Sequence, residues 1–351
     1  MDSETRIDNV SAIGRQLENF FTTAYRYCER RGIEKEIDLR RFQVVNNHSW
    51  WKDVKMLDFL GNYGRHIRIQ NMLARDSISA RIGTSDGLGF NEFTYQVLQA
   101  YDFYHLYKNE GVSIQVGGGD QWGNITAGID FISRVEPNSK KSPPYAITSS
   151  LLTTANGDKF GKSAGNAIFI NRDINSPYDI FQYFLNVEDA DIEKFLKIFT
   201  LLSLEDINSI MKMHNKDPKL REGQKTLARE VTELIHGYEN CRFAEILSDM
   251  LFNDKLKDSS VSVDSLLDAA YVAGNYETVP TRSSLVEIIS KVTNCSNSEA
   301  KRRISQGGVY LGLDRIQVTD PSVSINDYIL QNEVLILRTG KRKCYVVNMS
   351  S

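Results

Sequence analysis

Apolar residues recur at helical spacing through residues 7–31, so the chain opens on a predicted helix. "IDLRRFQVV" (37–45) alternates toward a β-branched end and reads as a strand. A helix rich in Trp, Leu and Met is expected from about 50 to 74. "NEFTYQVLQAYDFYHLY" (91–107) has the spacing of a buried helix, with Glu92 near its start. A short strand "VSIQV" (112–116), the turn "GGGDQWGN" and a helical "ITAGIDFISRV" then follow one another. That succession is the sequence form of an α/β unit with a parallel sheet, whose ligands sit at the carboxyl ends of the strands. From 176 to 252 the pattern is helical, with "SPYDIFQYFLN", "DIEKFLKIF" and "LAREVTELIHG" each amphipathic, and a helical bundle is expected. Residues 253–280 are polar, rich in Ser and Asp and weakly periodic, which reads as a linker. Two short helices, "SSLVEIISK" and "SNSEAKRRISQGG", precede strands around "VYLG", "EVLILRTG" and "KCYVVN", and no internal repeat is found.

Composition changes this picture in one respect. The chain has 351 residues, 41% hydrophobic and 25% charged, enough for two or three domains. Its formal charge of −3 is unevenly spread: residues 281–351 hold ten Lys/Arg against six Asp/Glu, whereas residues 1–280 hold 32 against 39. A basic module on an acidic body suits contact with a polyanion. Lys291, Lys301, Arg302 and Arg303 lie on or beside the two short helices, and Arg338, Lys341, Arg342 and Lys343 lie near the last strands. Such a patch can follow a phosphate backbone, and a solvated basic face is the plainer alternative. The four cysteines, Cys28, Cys241, Cys295 and Cys344, have neither CxxC nor CxxH spacing, which argues against zinc and against a disulfide framework. No apolar run approaches the roughly 20 residues of a membrane helix, and residues 1–31 are too polar for a signal peptide.

Three stretches carry candidate chemistry. On the helix 91–107, Tyr95, Gln99 and Asp102 stand at i, i+4 and i+7, one polar stripe on an otherwise apolar element. They form either a network that fixes packing or a pocket for a small polar ligand. The turn "VGGGDQWGN" follows a strand and opens a helix. It is either a tight corner or a place where backbone and free amides meet a phosphate, with Asp120 available to ribose hydroxyls. "GDKFGKS" sets Lys159 and Lys162 among Gly157 and Gly161. It is either a solvated basic loop or one that swings onto a triphosphate and neutralises a leaving pyrophosphate. It lacks the GxxxxGK[ST] spacing of a P-loop. His105 and His236 are read as packing or helix-end residues.

Together, in this order, "NEFTYQVLQAYDF", "QVGGGDQWGNITAG" and "GDKFGKSAGNA" resemble the signature segments of the bacterial-type tyrosyl-tRNA synthetases, class I aminoacyl-tRNA synthetases. The resemblance runs essentially from residue 1 to 351, and "GKSAGNAIFIN" is closer to mitochondrial enzymes of lower eukaryotes. It implies an α/β fold: a Rossmann-like catalytic domain, incomplete here, over 1–175, an α-helical anticodon-side domain over 176–252, the linker 253–280, and a small α+β RNA-binding module of αL type over 281–351. It implies that Asp102 binds the tyrosine phenol, with Asn47 near that end of the pocket, and that Tyr95 and Gln99 hold the α-ammonium group. By the same resemblance Gln121 lies by the carboxylate and α-phosphate, and Gly118 and Asp120 lie by the adenosine ribose. Lys159 and Lys162 match the KMSKS loop. The implied partners are tRNA(Tyr), L-tyrosine, ATP with Mg²⁺, and a second copy of the chain meeting it through the α/β domain, to which "WWKDVKMLDFLG" contributes. The implied site of action is the mitochondrial matrix, or the cytoplasm if the source is bacterial.

One departure shapes the expectation of activity. The family's first βα unit, with its HIGH motif, should precede residue 1. "GRHIRI" (64–69) resembles that motif only superficially and is placed inside a helix. "SETRID" matches the segment just after the first unit, making Arg6 a candidate phosphate contact. These residues alone are therefore expected to be inactive as a ligase. The reading from another class is a non-catalytic RNA-binding or splicing-support protein. A generic nucleotide-binding α/β enzyme leaves the polar stripe and the basic tail unexplained.

Overall fold

The computed structural model describes residues 2–33, 42–73, 78, 81, 87–136, 142–157, 160, 167–252, 263–330, 333–340 and 343–350. The chain forms two compact units, one of residues 1–44 with 161–351 and one of residues 45–160. The long first helix, α1 (Ser3–Arg30), belongs to the former.

The unit 45–160 contains α2 (His48–Trp51), α3 (Met56–Asn62), a 3₁₀ turn (Gly64–His66), α4 (Ile69–Leu73), α5 (Phe90–Glu110), β1 (Ile114–Gly118), α6 (Trp122–Val135) and β2 (Tyr145–Ser149). β1 and β2 pair in parallel from Ile114 opposite Tyr145 to Gly118 opposite Ser149, as the α/β reading expects. α5 ends at Gly111, whose φ of 71° is the left-handed stop that glycine accommodates. β1 lies two residues beyond the expected 112–116 and takes in Gly117 and Gly118. Gly117 is required by proximity: a Cβ there would sit 3.0 Å from Ile125 and 3.2 Å from Gln121. Gly128 plays the same part between helices, since a Cβ would come within 2.9 Å of the Phe103 ring. The core of this unit is aromatic, with Phe59, Tyr101, Phe103, Tyr104 and Phe131 buried together with Ala100 and Ile132.

Two expectations for this region need correction. The single helix 50–74 is broken into α2, α3, a 3₁₀ turn and α4. Lys55 is extended, with φ −78° and ψ 135°, and Gly61 and Gly64 lower the helix propensity that would join the pieces. "GRHIRI" accordingly starts in the 3₁₀ turn and becomes extended at Ile67, so it is not helical throughout. The strand expected over 37–45 lies partly outside the described residues, and its described remainder, 42–45, joins no ladder among them. Phe42 instead packs its ring on Phe21 of α1, centroids 4.3 Å apart, so side-chain packing takes the place of strand pairing.

In the other unit, α7 (Pro177–Leu185), α8 (Asp189–Phe199), α9 (Leu204–Lys216), α10 (Glu222–His236) and α11 (Tyr238–Phe252) form the expected bundle. Ser176 and Asp179 start α7 with a reciprocal capping box. Phe181, Phe184, Ile192, Leu196, Leu227, Val231 and Leu247 fill the interior. α1 lies along α10: the Thr23 hydroxyl donates to the Leu234 carbonyl at 2.9 Å, one of the acceptors that a helix leaves open at its C-terminus. Arg31 reaches Glu230 at 2.8 Å and Glu233 at 3.1 Å, and the Tyr27 hydroxyl donates to Glu230. Burial, with Glu230 accepting its proton, pushes the Tyr27 phenol well above the usual tyrosine range.

Residues 263–280, expected as linker, are folded as α12 (Val263–Ala273) and β3 (Tyr276–Pro280). Leu266, Ala269, Ala270 and Ala273 are buried at i, i+3, i+4 and i+7; mostly small, they give the stripe little hydropathy. Beyond them come α13 (Leu285–Val292), α14 (Asn297–Ser305), β4 (Val309–Leu311), β5 (Ile316–Val318), β6 (Ile329–Leu330), β7 (Val334–Thr339) and β8 (Lys343–Ser350). The sheet runs β3-β8-β7-β4-β5 with β6 on β7; β3 is parallel to β8 and the other pairs are antiparallel. Leu285, Ile288 and Ile289 of α13 and Ile304 of α14 share its core with Val309, Leu335 and Val347.

His236 ends α10 with its Nε2 buried and without a hydrogen-bond partner among the described residues. Burial, aided by Arg172, lowers its pKa to about 4. The neutral form is favoured on folding, so stability is present above the unfolded-state value near 6.5 and is lost as pH falls toward 4. Urea unfolding should show the protein about 2 kcal/mol less stable at pH 5 than at pH 7 on this account, and His236→Gln should flatten that limb.

Candidate active site and nucleic-acid interface

The stripe on α5 and the short helix α2 meet at one carboxylate. Asn47, Trp50 and Trp51 stand at i, i+3 and i+4, so a single helical turn presents all three on one face. Asp102 accepts from each of them: Asn47 Nδ2 at 3.0 Å to Oδ2, Trp50 Nε1 at 2.8 Å to Oδ1, and Trp51 Nε1 at 2.6 Å to Oδ1. Asp102 is half-buried, Asn47 is exposed, and the indoles are held from behind. Trp50 stacks on His105 with ring centroids 4.4 Å apart, and Trp51 packs on Tyr101 at 4.8 Å and Phe59 at 5.4 Å. Burial, with Tyr63, Tyr104 and Asp102 nearby, pushes the Tyr101 phenol up to about 12, so it stays a neutral wall.

Farther along α5, Gln99 has a buried Oε1 with no donor among the described residues, and Tyr95 is largely exposed. A buried, unpaired amide oxygen is an acceptor in need of a donor. At the β1–α6 corner Gly118 is extended rather than left-handed, with φ −72° and ψ 163°, so its place there is not owed to an unusual backbone angle. Asp120 is exposed and accepts from Gln121 Nε2 at 3.0 Å, while Asn124 Nδ2 donates to Gln121 Oε1 at 3.2 Å. No side chain caps the helical start at Gly119, and the corner lies at the carboxyl ends of the two parallel strands. Lys159 and Lys162 lie outside the described residues. The structure thus joins Asn47 to Asp102, and Asp120 to Gln121.

The missed participants are Trp50, Trp51 and His105. The signal was the spacing of "NHSWW" itself: on any helical turn Asn47 carries Trp50 and Trp51 onto its own face. His105, read as packing, does pack, and the ring it packs is a ligand of Asp102.

On the C-terminal sheet unit, Lys301 is exposed and forms no ion pair among the described residues. Its neighbours on α14 are engaged: Arg302 forks onto Glu299 at 2.8 and 2.9 Å, and Arg303 reaches the same carboxylate at 3.0 Å. Those two guanidiniums hold the Glu299 carboxyl down to about 2. Lys291 pairs with Glu277 at 3.0 Å. Lys341 and Arg342 lie outside the described residues. Arg338 leaves the expected basic patch altogether: it is 6% exposed and donates to the carbonyls of Gly312 at 2.8 Å and Leu251 at 3.3 Å. On a strand buried along most of its length, and bonded to those carbonyls, a surface charge becomes an internal tie.

The family model described as tRNA synthetases class I (W and Y) matches residues 4–253, and the chain belongs to that family. The tyrosyl branch is the one its relatives represent. A mitochondrial tyrosine–tRNA ligase of Saccharomyces cerevisiae is 49% identical over 99% of this chain and 71% of its own length. A tyrosine–tRNA ligase of Lactobacillus acidophilus is 37% identical over 90% of this chain and 74% of its own length. Among solved structures, a C-terminally truncated mitochondrial tyrosyl-tRNA synthetase of Aspergillus nidulans superposes with a TM-score of 0.65 at 33% identity, covering 72% of this chain and 70% of that one.

Proposed function

We propose that this chain is a tyrosine–tRNA ligase whose amino-acid pocket is built around Asp102. The observation that carries the reading is the donor-ringed carboxylate at the head of the Tyr95, Gln99, Asp102 stripe, in a chain of this family. A carboxylate facing three N–H donors offers only acceptor sites, which suits a phenolic O–H and leaves a bare phenyl ring unable to satisfy it. Gln99 Oε1, buried and unpaired, suits an ammonium donor, with Tyr95 alongside it. Gln121 is assigned to the tyrosine carboxylate, and Gly118 and Asp120 to the ribose of ATP.

The reaction follows from holding these groups together. The tyrosine carboxylate attacks the α-phosphorus of ATP, pyrophosphate departs, and a ribose hydroxyl of tRNA(Tyr) then takes the tyrosyl group as AMP leaves. Positioning and charge stabilisation accelerate both steps without a covalent enzyme intermediate. Lys159 and Lys162 are assigned to the departing pyrophosphate. Mg²⁺ is assigned to the ATP phosphates, whose charge it would offset.

The proposed domain arrangement assigns 1–175 to catalysis, 176–252 to the anticodon side of the tRNA and 281–351 to RNA backbone contact. Mitochondrial translation is the proposed setting, supported by the mitochondrial relatives. No helix among the described residues is long and apolar enough to cross a membrane.

A second copy of the chain is the proposed occupant of an apolar groove of about 490 Å³ lined by residues of α3, α4 and α5. Met56, Leu60, Ile69 and Phe90 stand more than half exposed along it. Contiguous apolar surface of this kind marks an interaction face, and a two-fold dimer would bury it against itself.

Four outcomes are expected. Asp102→Asn should weaken L-tyrosine binding, measured by equilibrium dialysis, by about 10²-fold, or roughly 3 kcal/mol; wild-type binding would sink the assignment. Leu60→Glu should shift sedimentation from dimer toward monomer. Glu299→Gln should free Arg302 and Arg303, tighten tRNA binding at low salt and steepen the salt dependence by about one phosphate contact, whereas Lys301→Ala should do the reverse.

A further inference from the structure

The carboxylate at the head of the stripe is not symmetrically engaged. Each oxygen of an ionised carboxylate has about two lone-pair sites. Both sites of Oδ1 are taken, by Trp50 Nε1 at 2.8 Å and Trp51 Nε1 at 2.6 Å, whereas Oδ2 holds only Asn47 Nδ2 at 3.0 Å. One acceptor site therefore stays open, and it lies on Oδ2.

We propose that Trp51 is a specificity-determining positioning residue: its indole N–H closes the second site on Asp102 Oδ1 and leaves Oδ2 as the single acceptor for the tyrosine hydroxyl. The inference rests on the assignment of Asp102 to that hydroxyl. Trp51 is suited to the part because its ring packs on both Tyr101, at 4.8 Å, and Phe59, at 5.4 Å, which limits its freedom. Trp50 alone would leave Oδ1 half-occupied, and water or a rotated carboxylate would then compete with the phenol. A fixed acceptor loses little entropy on binding, so the pair of indoles converts a mobile charge into an aimed one.

The position has a further property. The ring of Trp51 also lines the apolar groove, beside Val54, Met56, Phe59 and Leu60. The residue that aims the carboxylate is thus the one whose packing the contents of that groove can change.

The test is direct binding of L-tyrosine and L-phenylalanine to the full chain, by equilibrium dialysis with phenylalanine measured in competition. Trp51→Phe keeps an aromatic ring and deletes the N–H; replacing Trp51 with 3-benzothienylalanine deletes the N–H with the bicyclic shape retained, should the smaller ring unsettle the core. Either change is expected to weaken tyrosine binding roughly tenfold, the loss of one hydrogen bond to a charged group, while phenylalanine binding stays the same, so the tyrosine-to-phenylalanine preference falls roughly tenfold with it. A merely structural role would weaken both amino acids together, and that result overturns the inference. Asp102→Asn in parallel separates the two levels. If it abolishes the preference and both Trp51 changes leave it intact, Trp51 is not the positioning residue; if Asp102→Asn leaves the preference intact, the pocket assignment fails and the inference falls with it.

Discussion

A carboxylate set in an aromatic wall must be surrounded by donors, because leaving its lone pairs unmet in partly dry surroundings costs more than the packing around it returns. Asp102 meets this demand with two indoles and an amide, and much of the unit 45–160 is arranged to deliver them. α2 lasts one turn, enough to put Asn47, Trp50 and Trp51 on one face. His105 and Tyr101 rise from the same helix as the carboxylate and brace the two indole rings. Gly128 lets α5 lie close on α6, which seats Phe103 beneath that layer.

The same economy governs the basic end of the chain. Arg338 and Arg302 are equally charged on paper, yet one is enclosed between carbonyls and the other shares Glu299 with Arg303. Counting cations there overstates the charge offered to a polyanion, since an acidic residue three or four positions away withdraws part of it. Lys301, exposed and outside that cluster, offers its charge more fully than its neighbours do.

Elements with a long, regular period were legible in the sequence. α5, α7 to α11 and the strand-turn-helix corner appear where the pattern placed them, because a wide apolar stripe and an unambiguous start or stop, such as Ser176 or Gly111, leave few alternatives. The region 50–74 was not legible as separate turns: its apolar content is continuous, and the breaks come from backbone angles at Lys55 and Ile67 that hydropathy does not record. α12 was hidden for the opposite reason, being held by alanines whose burial matters more than their hydropathy. Of the site, the α5 stripe was readable from spacing, whereas the two tryptophans had already been explained as apolar surface. Only three-dimensional proximity to Asp102 reassigns them.

The seam between α1 and α10 bears on how the chain is made. Thr23 finds its acceptor 211 residues later, at Leu234, and Arg31 finds Glu233 202 residues later. During synthesis α1 therefore emerges early and stays without its partner while some two hundred further residues are added, a long loop whose closure is slow. Residues 45–160 are all made within that interval, and once compact they shorten the length of free chain that must be closed. Assembly order is thereby written into the threading: the unit 45–160 can finish before α1 meets α10.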